Sequence, residues 1–191
     1  YAVNVRDQQR RDGIVEGKDP ASKTVLASFV GAHSAHYLSD ARLRLRAFAD
    51  EARFVVRLTD KWHFEDVVYA HQVGNAQLGE ATANADAVAS YNRLLSDSVF
   101  SLCPAGAGPN TLRLWESLAV GAIPVLMGPT AAMPCGGSLP AIDWEKIVIR
   151  IEDEQIGELP RTLNSIPLER VREMQRLGMD AYALVSKQRC Y

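Results

Sequence analysis

A glycine-containing loop followed by a charged helical segment is the part of the 191-residue sequence best suited to chemistry. The segment 104–110 reads Pro-Ala-Gly-Ala-Gly-Pro-Asn, with Gly106 and Gly108, and joins an apolar run to a helical pattern. Glycine lets a backbone approach a ligand closely, and the N–H groups at a helix start attract anions. Asn110 or Thr111 would cap this helix. The spacing is neither that of a dinucleotide-binding motif nor that of a P-loop, so a tight turn without a ligand stays an alternative.

Two charged residues follow this loop on one face of the predicted helix. Arg113 and Glu116 are three residues apart, which places them side by side on a helix. Arginine can hold a phosphate through paired N–H groups, and a carboxylate can accept hydrogen bonds from ribose hydroxyls. The same pair would equally suit a surface ion pair worth about 0.2–0.5 kcal/mol. The spacing alone does not choose between these interpretations.

The histidines do not form a metal-binding pattern. His33 and His36 flank a short loop, with no cysteine or carboxylate cluster near them in sequence, and His63 and His71 add no ligand spacing. We therefore predict no metal site. Cys103 ends an apolar run and is predicted to be a small core residue rather than a nucleophile.

Apolar runs alternate with helical patterns along the chain. The predicted strands are 24–31, 53–58, 98–103, 122–127 and 146–151, and the predicted helices are 37–50, 86–97, 111–120, 154–164 and 168–186. This alternation predicts an α/β fold, a Rossmann-like and mostly parallel sheet with helices on both faces. Ligands of such sheets bind at the carboxyl ends of the strands, which indicates the loops after Gly31 and after Cys103.

Composition bounds the domain organisation and the partners. Residues 1–23 are polar and lack a sustained apolar period, so we interpret them as an N-terminal extension or linker, and 24–191 as the domain. The 21 Lys+Arg against 23 Asp+Glu give a net charge of −2, which argues against a nucleic-acid partner. An odd count of 3 cysteines favours a reducing compartment over a disulfide framework. We expect no signal peptide and no transmembrane segment in these residues.

The order of several motifs resembles the exostosin-type (GT47) glycosyltransferases. The motifs are 91–104 (YNRLLSDSVFSLCP), then Gly106, 112–118 (LRLWESL) and 121–125 (GAIPV). The family pattern is Ser-x-Phe-x-Leu-x-Pro-x-Gly, Arg-x-x-Glu-Ala-Leu and Gly-Cys-Ile-Pro-Val. The resemblance extends over about 24–185, and its most specific part is the Arg-x-x-Glu stretch with its sequel. Many relatives have arginine where this chain has Ala105.

The resemblance implies one lobe of a two-lobed GT-B enzyme. In that fold the C-terminal Rossmann-like lobe binds a nucleotide sugar, and this chain matches that lobe only. An N-terminal lobe or partner chain would bind a glycan or polysaccharide acceptor and supply the base of an inverting displacement. The residues that the resemblance and the loop positions assign to donor binding are Gly31, Arg42, Gly106, Gly108, Asn110, Thr111, Arg113 and Glu116. Of the local residues, only His33 and His36 are placed to act as a base. No cofactor or bound metal is expected.

Two other classes of function remain open at this stage. One is a non-catalytic module that binds sugar nucleotides or acts as a scaffold in a glycan-synthesising complex. The other is a different Rossmann-type enzyme, an epimerase or dehydrogenase, which the lack of G-x-G-x-x-G after the first strand disfavours. By resemblance, a bacterial protein would be cytoplasmic and a eukaryotic one would lie in the Golgi lumen.

Overall fold

The computed structural model describes residues 2–59, 78–108, 111–128, 133 and 142–188. Five parallel strands form one sheet in the order β2-β1-β3-β4-β5. They are β1 (Val25–Ala32), β2 (Phe54–Thr59), β3 (Ser98–Pro104), β4 (Ile123–Met127) and β5 (Ile149–Ile151). The prediction of an α/β fold with a parallel sheet is confirmed.

Helices cover both faces of this sheet. They are α1 (Ala2–Arg11), α2 (Ala41–Arg44), α3 (Leu78–Asp97), α4 (Arg113–Val120), α5 (Leu159–Asn164) and α6 (Leu168–Gln188). In β4, Val125 and Met127 join a core cluster with residues of α2 and α5, whereas Leu126 joins a second cluster with residues of α1 and α4. Successive strand residues point to opposite faces, so β4 is covered on both sides. None of the described helices combines the length and apolar character needed to span a membrane.

The segment predicted as one amphipathic helix over 37–50 is instead two short turns. Helix α2 is followed directly by a 3₁₀ helix, Leu45–Phe48. The buried apolar residues are Ala41, Leu45 and Phe48, while Leu38 and Leu43 are each 48% exposed. The 3₁₀ geometry aligns side chains three residues apart, so Leu45 and Phe48 reach the core together. The hydropathy pattern alone does not reveal this change of period.

Residues 2–23 form part of the packed domain rather than a linker. Helix α1 contacts α4 and α6, and Val5 and Ile14 lie in separate core clusters. The polar residues Gln9 and Lys23 are only 2% and 3% exposed. Because much of this packing uses hydrogen-bonded polar residues, an apolar period could not predict it. The expected domain boundary at residue 24 is therefore corrected.

Candidate functional site

The strand order changes direction between β1 and β3, which lie side by side in the middle of the sheet. In open α/β sheets of the order 2-1-3-4-5, such a switch point leaves a crevice at the carboxyl ends of the strands. The loops that follow the two strands touch here, since the Leu38 N–H donates to the Gly106 carbonyl at 3.0 Å. The two loops singled out from the sequence are therefore neighbours at one edge of the sheet.

Arg113, the first residue of α4, lies across the ends of both central strands. Its Nη2 donates to the Val30 carbonyl of β1, and its Nη1 donates to the Leu102 carbonyl of β3 at 3.4 Å. The guanidinium carbon lies 4.6 Å from the centre of the Phe29 ring. A Cβ built on Gly31 would be 3.4 Å from Nη2. Arg113 is thus a half-buried group at the strand ends rather than a wholly solvated one.

Tyr91 of α3 connects Arg113 to Glu116. The Arg113 Nε–H donates to the Tyr91 hydroxyl at 3.1 Å, and that hydroxyl donates to Glu116 Oε2 at 2.8 Å. Burial, with the nearby Glu116 charge, raises the pKa of Tyr91 above its ordinary value, so its proton stays on the oxygen. We call Arg113, Tyr91 and Glu116 the relay. In the sequence, Tyr91 is only the first residue of the 91–104 motif, and its spacing does not predict a contact with Arg113 or Glu116.

Arg42 of α2 reaches the same strand ends from the loop after β1. Its Nη1 donates to the Ala32 carbonyl at 2.7 Å and its Nε to the Ala105 carbonyl at 3.3 Å. The guanidinium carbon lies 4.5 Å from the centre of the Tyr37 ring. Its Nη2 lies 3.1 Å from where a Cβ of Gly106 would be. Arg42 therefore sits directly beside the glycine of the loop that follows β3.

The two arginines place like charges side by side, and Arg113 is connected to the Glu116 carboxylate through Tyr91. Both lie against Phe29, with the Arg42 carbon 5.6 Å from the ring centre. Burial and the charge of Arg113 lower the pKa of Arg42. In the described part of the chain, no carboxylate forms an ion pair with either arginine. Half-buried cations are costly unless an anion accompanies them, so this edge is suited to a multiply charged anion.

Of the remaining loop residues predicted for donor binding, Gly108 and Thr111 lie between β3 and α4. The Thr111 hydroxyl accepts a hydrogen bond from the Arg113 N–H at 3.3 Å, which supports the start of α4. A Cβ on Gly108 would meet nothing within 4 Å. Asn110 lies outside the described residues. The roles of these residues in donor binding remain predictions.

The two candidate base residues differ in their surroundings. His33, just after β1, is half-buried and packs edge-on against Tyr37, with ring centres 5.8 Å apart. Its Nδ1 is buried and has no hydrogen-bond partner among the described residues. His36 is exposed. The role of either histidine as a base remains a prediction.

A serine and an aspartate that sequence reasoning did not single out lie further along the same edge. The Ser39 hydroxyl donates to Asp153 Oδ2 at 2.7 Å, and Asp153 Oδ1 is buried without a partner in the described part of the chain. Asp153 follows β5, and a Cβ on Gly128, after β4, would be 3.4 Å from the Ser39 Cβ. No cluster of three or more His, Cys, Asp or Glu residues suited to a metal occurs among the described residues.

Comparison with known proteins identifies the family. A model of the exostosin GT47 domain matches residues 9–166, and the chain belongs to this family. The match begins inside the segment that was predicted to be an extension. A probable glucuronosyltransferase of Oryza sativa subsp. japonica is 34% identical over 89 residues, 47% of this chain and 20% of that protein. The probable beta-1,4-xylosyltransferase IRX10 of Arabidopsis thaliana is 33% identical over 87 residues, 46% of this chain and 20% of that protein.

The chain matches about a fifth of the length of these curated relatives (20% of each). Among solved structures, the C-terminal domain of the glycosyl transferase group 1 family protein LpcC from Francisella tularensis superposes with a TM-score of 0.42 and 14% identity. That match covers 97% of this chain and 93% of the other.

Proposed function

We propose that this chain is the donor-binding lobe of an inverting glycosyltransferase, which transfers a sugar from a nucleoside-diphosphate sugar to a glycan acceptor. The observation that carries the proposal is the pair Arg42 and Arg113, two half-buried cations side by side at the switch point of the sheet, neither of which forms an ion pair with a carboxylate among the described residues. Membership of the exostosin GT47 family supplies the class of reaction. The resemblance in the sequence had assigned both arginines to the donor.

The diphosphate is the anion that suits this pair. Guanidinium groups bind phosphate oxygens through paired N–H bonds, and positive charge at the leaving group stabilises the transition state of transfer. Backbone N–H groups of the loop after β3, around Gly106 and Thr111, add further donors. Glu116 would accept hydrogen bonds from hydroxyls of the ribose or of the sugar.

Arginine charge takes the place of a bound metal in this proposal. Two fixed cations beside the leaving diphosphate supply the electrostatic stabilisation that a divalent ion supplies in other transferases. We therefore expect UDP to bind equally well with and without EDTA. A loss of binding in EDTA that Mg²⁺ or Mn²⁺ restores would contradict this part of the proposal.

The names of the relatives point to the sugar that is transferred. They are called glucuronosyltransferases and a xylosyltransferase, so we propose a nucleotide-linked glucuronic acid or xylose as the donor. The acceptor and the base belong to the remainder of the longer protein, an N-terminal lobe or a partner chain. By the family resemblance, a eukaryotic source places the protein in the Golgi lumen and a bacterial one places it in the cytoplasm.

Calorimetric titration of UDP and GDP into this chain tests the donor assignment. Arg113→Ala is expected to weaken binding by about 1.5–3 kcal/mol, the range for a hydrogen bond to a charged group. Glu116→Gln is expected to weaken it less, because the amide keeps one acceptor oxygen. Arg161→Ala is the charge-matched control, since that side chain is 88% exposed and remote in sequence from the site. Equal affinities in wild type and Arg113→Ala would overturn the phosphate role.

Assay of the full-length protein separates this proposal from the non-catalytic alternative. A full-length protein that binds the donor but transfers no sugar to any of a panel of oligosaccharides would be a sugar-nucleotide-binding module. Transfer that Arg113→Ala abolishes would support the enzyme.

A further inference from the structure

The carboxyl end of α4 is held by the N-terminal segment of the chain. Arg6 Nε donates to the Ala119 carbonyl at 3.2 Å, and the Gly17 N–H donates to the Val120 carbonyl at 3.0 Å. Lys23 Nζ donates to the carbonyl of Gly121, the residue that ends the helix, at 3.0 Å. We call residues 5–23 the clasp.

These contacts give hydrogen-bond donors to the backbone carbonyls at the carboxyl end of α4, which have no donor within the helix. The last carbonyls of a helix have no partner within it, and cations near that end are favourable because they complement the helix dipole. Arg6 and Lys23 both bring cationic donors to this end of α4. Helix α4 has only 8 residues, so its direction depends on what holds its ends.

The clasp also holds α3, the helix that carries Tyr91. The Asn92 side-chain amide donates to Asp12 Oδ2 at 2.6 Å. Ile14 lies in a core cluster with Leu95, and Tyr91 packs against that cluster. One short segment therefore binds both helices whose side chains form the relay.

A further bond places the clasp next to the relay itself. Gln9 Nε2 donates to the backbone carbonyl of Glu116 at 3.1 Å, and Gln9 is only 2% exposed. The relay needs α3 and α4 at one fixed separation, because the Arg113–Tyr91 and Tyr91–Glu116 bonds span the two helices. A shift of about 1 Å between the helices would break at least one of these bonds.

We propose that the clasp is a positioning device for the donor site: it fixes α4 against α3, so that the relay and the affinity for a nucleoside diphosphate depend on residues outside the site. The effect on nucleoside-diphosphate affinity rests on the proposed donor function, whereas the effect on the relay does not. Arg6 and Gln9 are accordingly positioning residues, since neither side chain contacts the arginine pair.

Two measurements on Arg6→Ala and Gln9→Leu test the proposal, at a temperature where circular dichroism shows each variant to be folded. The first is the hydrogen-exchange rate of the Arg113 Nε–H by NMR, which reports its bond to Tyr91 without any ligand. The second is the affinity for UDP. We expect faster exchange and UDP binding weaker by about three- to tenfold in both variants. Arg6→Lys, which keeps a cation at the end of α4, is expected to restore both values.

Asp7→Ala is the matched control, because Asp7 is the exposed neighbour of Arg6 on the same helix. It should leave both values unchanged. The proposal would be overturned if the Arg113 Nε–H exchanged at the wild-type rate in Arg6→Ala and Gln9→Leu. It would also be overturned if the exchange became faster while the UDP affinity stayed at the wild-type value. Failure of the wild-type chain to bind UDP would refute the donor function instead, and the exchange rates would then decide whether the clasp fixes the relay.

Discussion

Arg42 and Arg113 stand against the same aromatic ring. Burial and the charge of Arg113 lower the pKa of Arg42, whereas for Arg113 the nearby Tyr91, Cys103 and Glu116 outweigh burial and raise the pKa. Each guanidinium donates to main-chain carbonyls at the strand ends, which fixes its position without neutralising its charge. Two like charges side by side stabilise the protein little by themselves. In the proposed donor complex, a diphosphate would bring negative charge to both guanidinium groups.

Removing the Tyr91 hydroxyl tests the relay at the level of one atom. Tyr91→Phe takes away the acceptor for Arg113 Nε and the donor to Glu116, so both lose a partner. We expect the free energy of unfolding to fall by about 1–2 kcal/mol in urea denaturation, and UDP affinity to fall several-fold. Tyr37→Phe is the control, since it keeps the ring that lies under Arg42. Unchanged UDP affinity in Tyr91→Phe would show that Arg113 does not need the relay.

The buried Lys23 makes stability depend on pH. Burial lowers the pKa of Lys23 to about 8, from an ordinary value of 10.5. Between these values the unfolded chain binds the proton and the folded chain does not, so stability rises as the pH rises. From about pH 8 to about pH 9 the gain is about 1 kcal/mol. Burial raises the pKa of Cys103 to about 11, so the loss of stability from its thiol begins only near its ordinary value of 9.0.

Urea denaturation of wild type and Lys23→Met over this pH range checks the prediction. The stability difference between the two proteins should change in favour of the wild type as the pH rises. A constant difference would mean that the Lys23 pKa is not lowered in the folded state.

Sequence spacing revealed only part of the site at this scale. Arg113 and Glu116 could be predicted to lie together, because residues three apart on a helix are neighbours on one face. Phe29, Tyr91 and Asp153 could not be placed in the site, since their contacts join separate segments that only the folded chain brings together. The family resemblance added Arg42, which lies among other arginines on its segment.

At the scale of elements, strands were predicted better than the segments between them. Strands β3 and β4 are buried along their whole length, and a fully buried strand shows as a continuous apolar run. The clasp and the turns over 41–48 were mispredicted, because their burial depends on hydrogen-bonded polar residues and on 3₁₀ geometry. Neither leaves an apolar period of 3.6 residues.

The loop after β3 offers a matched pair of glycines. A Cβ on Gly106 would meet the Arg42 Nη2 at 3.1 Å, whereas one on Gly108 would meet nothing within 4 Å. The clash is with the end of a flexible side chain, so Gly106→Ala should displace the Arg42 guanidinium with a small change in stability. We expect UDP affinity to fall in Gly106→Ala and to stay unchanged in Gly108→Ala, measured by calorimetry. Equal affinities in the two variants would remove Arg42 from the donor site.

At the scale of the whole molecule, the strand order places the arginine pair in the centre of the sheet edge. Alternating strands and helices predicted the parallel sheet, and hence that the loops after β1 and β3 lie at one edge. Which strands pair depends on tertiary packing, so the order itself was not predictable. The 89 aligned residues cover 20% of the first relative's length, and in the proposed function an N-terminal lobe or partner chain supplies the second wall of the site.

We expect this chain by itself to bind the donor without transferring sugar. Inverting transfer needs a base near the acceptor hydroxyl on the face opposite the leaving nucleotide, and donor and acceptor have to be held in line. Transfer of a labelled sugar to a panel of oligosaccharides, by this chain and by the full-length protein, checks the prediction. Turnover by the chain alone that His33→Ala or His36→Ala abolishes would show that the base lies here.

The most direct test of the central claim, that Arg42 and Arg113 hold a diphosphate, is a comparison of UDP with uridine. NMR chemical-shift titrations of wild type, Arg42→Met and Arg113→Met with each compound give the affinities. Each substitution is expected to weaken UDP binding by about tenfold or more and to leave uridine binding unchanged, because only UDP carries the phosphates. Wild-type affinity for UDP in both variants, or an equal loss for uridine, would contradict the claim.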